Sequence, residues 1–105
     1  MCNQILKKLI KPGQVFVFSG AYCPFCIIAK RTLSKYKIEY KERDLSEEPL
    51  DSHTRKQLNN LSGINTIPKI FIGEICIGGN SALQEMISTG ELFDLLDEEN
   101  ISYKH

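Results

Sequence analysis

The chain has 105 residues, of which 42% are hydrophobic, and this is enough apolar material for one packed domain but not for two. Its 13 lysine and arginine residues balance 13 aspartate and glutamate residues, so no overall charge draws it to nucleic acid or to an anionic membrane. Lysines interrupt the apolar N-terminal segment, which predicts neither a signal peptide nor a membrane span. We therefore expect one monomeric, cytoplasmic domain over residues 1–105, with its core at about 13–97.

The first half of the chain predicts a helix followed by a strand, a helix and a second strand. Residues 3–11 place apolar side chains on one helical stripe, which Pro12-Gly13 ends. The run Val15-Phe16-Val17-Phe18 is apolar without alternation, which is typical of a strand covered on both faces in the middle of a sheet. Helical composition over 24–36 and alternation over 38–43 then predict a parallel strand pair joined by a right-handed crossover.

The middle of the chain predicts a capped helix and a β-hairpin. Asp51 or Ser52 can cap the helix at its start, and Gly63 stands where a helix C-terminus favours a left-handed residue. Residues 69–77 read as two short strands that turn at Gly73-Glu74.

The last part of the chain predicts two helices. Ser81 and Gln84 match a capping box for the first of them, and residues 91–98 form the second. The tail over 100–105 is expected to be loosely held. The whole order predicts an α/β fold with a mixed four-stranded sheet flanked by helices.

The motif Cys23-Pro24-Phe25-Cys26 lies where a buried strand ends and a helix begins. Unpaired backbone N–H groups and the helix dipole favour an anion there, so the pKa of Cys23 is expected to fall below that of a free thiol. Pro24 suits the first helical turn because its missing N–H costs nothing. Cys23 is the predicted nucleophile, and Cys26, about one turn further in and more buried, is predicted to resolve a disulfide formed on Cys23.

Three other interpretations of the two cysteines are a zinc half-site, a local structural disulfide and two core residues. Zinc would need two further ligands, and the remaining candidates form no second pair with suitable spacing: Cys2, Cys76, His53 and His105. We expect no metal, a buried apolar role for Cys76 and exposed histidines. The strand-to-helix position favours redox chemistry over these alternatives.

Two further segments carry weaker signals. Thr66-Ile67-Pro68 precedes a strand, and a cis Ile67-Pro68 bond would turn the Ile67 backbone outward to pair with an extended peptide. Only about 5–6% of X-Pro bonds are cis, so the dipeptide alone favours a trans bond. In Gly78-Gly79-Asn80-Ser81 the glycines allow close backbone approach, and the helix start beyond them presents N–H groups to a carboxylate, although such a pair is often only a turn.

In identity, order and spacing, these three segments resemble the glutaredoxin family over residues 13–97. Cys26 places the resemblance in the dithiol branch, since the monothiol branch has serine at this position. The resemblance implies a thioredoxin-like fold, a cis bond before Pro68, no bound cofactor and glutathione as co-substrate. It also implies a pathway in which Cys23 and Cys26 reduce protein-glutathione mixed disulfides and protein disulfides.

The resemblance further implies which residues bind glutathione. The set is Tyr22, Arg55, Thr66, Ile67, Pro68, Gly79, Asn80 and Ser81, with Pro24, Phe25 and Lys69 in support. The Ile67 backbone would pair with the glutathione cysteine, and Gly79 with Ser81 would lie near the γ-glutamyl carboxylate. Arg55 would hold the glycyl carboxylate with its planar fork, although on spacing alone it could pair with Asp51 on a solvated helix face.

The chain departs from the family pattern at two positions. Gly20 stands where many members have a lysine that aids the thiolate, and Ala82 stands where they often have an aspartate for the ligand's ammonium. Glutathione affinity or turnover is therefore expected to be weaker than usual, with Lys69 as a replacement cation. Tyr22 and Phe25 either wall the pocket and exclude water or pack as ordinary surface-to-core residues.

Three alternative functions remain at this point. A dimer could carry an iron-sulfur cluster on Cys23 and glutathione, a dithiol reductant of the thioredoxin kind could draw electrons from a protein reductase, and the groove beside Pro68 could bind peptides without catalysis. Proline after the first cysteine argues against the cluster by stiffening the loop.

Overall fold

The computed structural model describes residues 4–104. In chain order its elements are α1 (Gln4–Leu9), β1 (Val15–Ser19), α2 (Pro24–Lys35), β2 (Tyr40–Asp44), α3 (Ser52–Ser62), β3 (Lys69–Ile72), β4 (Ile75–Gly78), α4 (Asn80–Thr89) and α5 (Glu91–Glu98). This order confirms the prediction, while α1 ends two residues before the expected residue 11 and β2 starts two residues later than expected. The predictions for Cys2, Asn3 and His105 concern residues outside the described range.

The strands form one mixed sheet in the order β2-β1-β3-β4. Strand β1 pairs parallel with β2 and antiparallel with β3, and β3 pairs antiparallel with β4. Every residue of β1 is buried, which confirms that the apolar run is a central strand. Because α2 follows β1 in the chain, Cys23 at the start of α2 comes shortly after the carboxyl end of β1.

Alternate side chains of the sheet build two cores. One core lies under α2, α4 and α5 and includes Val15, Val17, Ala29, Leu33, Ile70, Ile72, Leu83, Leu92 and Leu96. The other lies under α1 and α3 and includes Leu6, Ile10, Phe16, Phe18, Leu50, Leu58 and Phe71. Helix layers on both faces therefore explain why the central strands β1 and β3 are apolar except for Ser19 and Lys69. Within residues 4–104, no helix is both long enough and apolar enough to cross a membrane.

Helix α3 begins and ends as its sequence predicts. The Asp51 carboxylate accepts a hydrogen bond from the Thr54 backbone N–H at 2.8 Å and another from the Thr54 hydroxyl at 2.9 Å. These bonds lower the pKa of Asp51. Gly63 ends the helix with a φ of 75°, the left-handed conformation that glycine adopts without a steric penalty.

Helix α4 does not use the predicted capping box. It starts at Asn80 with Gly79 as the N-cap, so Ser81 already lies inside the first turn, where its hydroxyl cannot occupy the cap position. The Gln84 side-chain amide instead donates to Asn80 Oδ1 at 3.2 Å and to Thr32 Oγ1 at 3.0 Å. Gln84 thereby links α4 to α2.

The C-terminal tail differs from the expectation of a loosely held segment. The Ile101 N–H donates to the Leu96 carbonyl at 2.9 Å, and the Lys104 N–H donates to the Tyr36 carbonyl at 2.6 Å. The Tyr103 ring lies 5.0 Å from the Phe93 ring between centroids. The tail therefore covers the α2–α5 side of the core up to residue 104.

Candidate active site

Cys23 and Cys26 occupy the start of α2. Cys23 is the N-cap, and its sulfur accepts a hydrogen bond from the Cys26 backbone N–H at 3.3 Å. The two residues are joined as a disulfide, with Cα atoms 5.3 Å apart. Cys23 is half-buried, whereas Cys26 is only 1% exposed. Cys23 is therefore the more exposed residue of the pair, and a negative charge on its sulfur would meet the N–H group and the helix dipole.

Two glycines let three chain segments meet beside Cys23. A methyl group on Gly20 would lie 2.7 Å from the Ile67 Cδ1 atom, and one on Gly79 would lie 3.3 Å from the Pro68 carbonyl oxygen. The Ile67-Pro68 peptide bond is cis, which confirms the expectation. The loop before α2, the loop before β3 and the start of α4 thus come together at one end of the sheet.

Lys69 does not face solvent as a replacement cation. Its side chain is buried on the sheet face that carries Phe18 and Phe71, and its Nζ donates to the Ile64 carbonyl at 2.6 Å. Burial lowers the pKa of this lysine. The ammonium therefore holds the loop that leads to Ile67 instead of reaching the thiolate.

A network that the sequence analysis missed ties α2 to the sheet. Glu42 Oε2 accepts hydrogen bonds from the Ser19 hydroxyl at 2.5 Å and from Lys30 Nζ at 2.7 Å. Burial opposes the charged form of Glu42, but the bonds from Lys30 and Ser19 outweigh it and lower the pKa of this carboxyl. Lys30 lies one turn after Cys26 on α2, whereas Ser19 and Glu42 lie on β1 and β2, so no local sequence signal indicated this network.

Replacing Glu42 by glutamine is expected to reduce the free energy of unfolding by less than about 1 kcal/mol near neutral pH, because the pair is partly exposed. Since the folded pKa is lowered, the charge contributes fully above the ordinary glutamate pKa of about 4.3 and is lost as the pH falls through the folded value. Urea unfolding of wild type and Glu42→Gln, near neutral pH and below about pH 3, measures the difference in their free energies of unfolding. An equal difference under both conditions would show that the Glu42 charge does not contribute to stability.

Tyr22 and Phe25 extend into solvent on either side of Cys23. Tyr22 is 100% exposed and has a φ of 54°, and Phe25 is 61% exposed. This exposure argues against ordinary core packing, and the role of the two rings as pocket walls stays a prediction. Both rings are available to contact a bound molecule.

The remaining predicted ligand contacts lie on the loop before β3, at the start of α4 and on α3. Thr66 and Ser81 are exposed, and Asn80 is half-buried beside Gln84. Arg55 is exposed on α3, and within residues 4–104 its guanidinium makes no ion pair. Both oxygens of Asp51 are engaged by Thr54, so the alternative Asp51–Arg55 pair is not formed. The same range contains no cluster of three metal-ligating side chains, and the absence of a metal stays a prediction.

Comparisons with known proteins agree with this arrangement. A family model described as glutaredoxin matches residues 15–77, which is more than half of the chain. The chain is 38% identical over 98 residues to glutaredoxin-2 of Schizosaccharomyces pombe, covering 93% of this chain and 89% of that one. It is 34% identical over 101 residues to human glutaredoxin-1, covering 93% and 95% respectively.

Solved structures give the same result for the fold. A wheat glutaredoxin aligns with a TM-score of 0.80 at 29% identity, over 91% of this chain and 93% of that one. A buckwheat glutaredoxin-glutathione complex aligns with a TM-score of 0.78 at 27% identity, over 92% and 88%. The chain therefore has a thioredoxin-like fold and belongs to the glutaredoxin family, the glutathione-dependent thiol-disulfide oxidoreductases.

Proposed function

We propose that this chain reduces protein-glutathione mixed disulfides through Cys23, with glutathione as the co-substrate. The observation that carries the proposal is the position of Cys23, the more exposed of the two cysteines, at the N-cap of α2, where the Cys26 N–H points at its sulfur. A thiolate at this position is stabilised by that hydrogen bond and by the helix dipole. Cys23 is therefore the residue to which we assign nucleophilic attack.

The first step exchanges one disulfide for another. The Cys23 thiolate attacks the glutathione sulfur of the mixed disulfide, a Cys23–glutathione bond forms, and the protein thiolate leaves and takes up a proton from solvent. A second glutathione thiolate then attacks the glutathione sulfur on Cys23. Oxidised glutathione leaves, and the Cys23 thiolate is restored.

Cys26 provides a second route for protein disulfides. Its sulfur can attack Cys23 after the first exchange, giving the internal disulfide seen at the start of α2 and releasing the bound thiol. Two glutathione molecules then reduce this disulfide in succession. The nearly complete burial of Cys26 supports its role as the resolving thiol, because substrates reach Cys23 first.

For glutathione we propose the surface formed by the three segments that meet beside Cys23, together with Arg55 of α3. The members from the three segments are Tyr22, Thr66, Ile67, Pro68, Gly79, Asn80 and Ser81, with Pro24 and Phe25 next to Cys23 in the chain. The close approaches of Gly20 to Ile67 and of Gly79 to Pro68 support this surface. The buckwheat relative that aligns over most of the chain was solved with glutathione, which supports the same ligand.

The test is turnover of the mixed disulfide of glutathione with 2-mercaptoethanol, with oxidised glutathione measured through glutathione reductase and NADPH. We expect steady turnover that depends on glutathione and that thioredoxin reductase cannot replace. Turnover with thioredoxin reductase alone would favour the dithiol reductant. Coloured protein with visible absorbance, together with inactivity, would favour an iron-sulfur carrier.

The proposal includes a monomer without a bound cofactor in the cytoplasm. A reduced glutathione pool is needed to restore Cys23, and the cytosolic poise of about −220 to −260 mV meets that need. Light scattering on the purified protein measures the oligomeric state, and cell fractionation measures the location. A dimer that carries metal, or a protein retained in an oxidising compartment, would contradict this part.

Replacing Lys69 by methionine is expected to raise KM for the glutathione substrate by about three- to tenfold, as loss of one hydrogen bond of about 1 kcal/mol predicts. The Ile64 carbonyl loses its donor, and the loop before Ile67 loosens. Stability is expected to fall by no more than about 1 kcal/mol, because the lost hydrogen bond is partly offset by removing a buried cation. Steady-state kinetics and thermal unfolding measure both effects. Lower stability with unchanged KM would show that Lys69 serves packing alone.

A further inference from the structure

Exposed apolar side chains concentrate around Cys23. Of the seven large apolar side chains exposed in the described part of the chain, four lie within five residues of Cys23, namely Tyr22, Phe25, Ile27 and Ile28. Ile27 is 53% exposed and Ile28 is 41% exposed. Single exposed apolar residues are ordinary, whereas a contiguous group beside a reactive atom indicates a contact surface.

Hydrogen bonds on both flanks define which side of α2 faces solvent. Lys30 bonds Glu42 of β2 on one flank, and Thr32 accepts from Gln84 of α4 on the other. Helical spacing puts an exposed stripe between these flanks, which we call the outer face of α2. It consists of Ile27, Ile28, Arg31 and Lys35.

The outer face carries positive charge. Residues 24–38 contain Lys30, Arg31, Lys35 and Lys37 but no aspartate or glutamate, although the chain as a whole is neutral. Among residues 4–104 only Lys30 of this group has a carboxylate partner. At about 1.5 Å per helical residue, Arg31 and Lys35 lie roughly 12 and 18 Å along the axis from Cys23.

We propose that the outer face of α2 docks the protein half of the substrate and selects proteins with an apolar side chain next to the reactive cysteine and an acidic segment beyond it. The inference rests on the proposed function, since it assumes a mixed disulfide at Cys23. Ile27 and Ile28 would cover the apolar side chain. Arg31 and Lys35 would attract the acidic segment and raise the association rate.

The test compares two glutathionylated peptides of equal length, each with leucine beside the cysteine and then a run of either glutamates or lysines. We expect wild-type kcat/KM to favour the acidic peptide by about tenfold at low salt, with the preference fading near 1 M salt, where the Debye length falls to about 3 Å. The double variant Arg31→Glu/Lys35→Glu should reverse the preference. Its turnover of the small 2-mercaptoethanol substrate should stay within about twofold of wild type, since rim charges act on association.

Two control variants test whether the effects depend on a location on α2, and not on net charge or on exposed apolar area alone. Lys7→Glu/Lys8→Glu makes the same charge change on α1 and should keep the wild-type preference. Ile27→Ser should lower kcat/KM for both peptides by about threefold or more, as loss of an apolar contact predicts. Ile75 on β4 is also 53% exposed, and Ile75→Ser should not lower kcat/KM for either peptide.

The outcomes distinguish this inference from the function on which it rests. No wild-type turnover of the small substrate would overturn the proposed function. Normal turnover of the small substrate with equal rates for the two peptides would overturn the docking surface alone. A shift by the α1 control as large as that by the α2 variant would also overturn it, because net charge would then explain the preference.

Discussion

Replacing Cys23 by serine is expected to lower kcat/KM for the mixed disulfide of glutathione by more than about a thousandfold. The thiolate is the attacking group, and a serine hydroxyl at the same N-cap keeps the hydrogen bond from the Cys26 N–H but cannot accept the glutathione sulfur. Folding should be unaffected, because serine is a favourable N-cap. The glutathione reductase assay and thermal unfolding measure these two effects.

The second cysteine supplies the informative comparison. Replacing Cys26 by serine is expected to retain activity on the glutathione substrate within about threefold, because a second glutathione can restore Cys23 directly. Reduction of protein disulfides should fall much further, since the resolving thiol is lost. If both serine variants were equally inactive on the glutathione substrate, the dithiol route would be the main one.

Cys76 is the matched control for both changes. It is half-buried on β4 and packs against the core under α3, and burial raises the pKa of its thiol. The thiol therefore stays protonated near neutral pH and is a poor nucleophile. We expect Cys76→Ser to leave turnover within about twofold of wild type. A wild-type protein without turnover, whose peptide binding is unchanged in Cys23→Ser, would instead favour a peptide-binding module.

The sequence predicted the features whose signals are local. The apolar run of β1, the Asp51 cap and the left-handed Gly63 depend on neighbouring residues alone, and all three are found. The N-terminus of α4 was misassigned because Gly79, Asn80 and Ser81 offer competing starts one or two residues apart. The tail was misjudged because Tyr36, the partner of Lys104, is far from it in the chain and only the fold brings the two together.

In the active site, too, local features were predicted from the sequence and contacts between distant segments were not. The redox role of the Cys23–Cys26 pair could be predicted from its strand-to-helix junction, because a helix N-terminus favours an anion in any fold. The partners of Glu42 and Lys69 could not, because each bond joins segments that only the folded sheet brings together. The solvent exposure of Tyr22 likewise depends on its backbone conformation, which has no local sequence signal.

Replacing Phe71 by alanine is expected to reduce the free energy of unfolding by about 3–5 kcal/mol. The side chain is fully buried on β3, directly opposite Phe16, and its ring meets the Phe18 ring edge-on at 5.8 Å between centroids. Truncation removes that contact and leaves a cavity between the sheet and α3. With a total stability of about 5–15 kcal/mol for such domains, Tm should fall by more than about 10 °C.

Phe25→Ala is the matched control, because it deletes the same atoms from a ring that is largely exposed beside Cys23. It should change the free energy of unfolding by no more than about 0.5 kcal/mol. Calorimetry and urea unfolding of the two variants show whether the loss of stability depends on the burial of the ring or only on the removal of a phenylalanine ring. Similar losses in both would mean that the Phe25 ring packs in solution, and the apolar surface beside Cys23 would then be smaller than its exposure indicates. A small loss in Phe71→Ala would mean that the core under α3 collapses around the deletion.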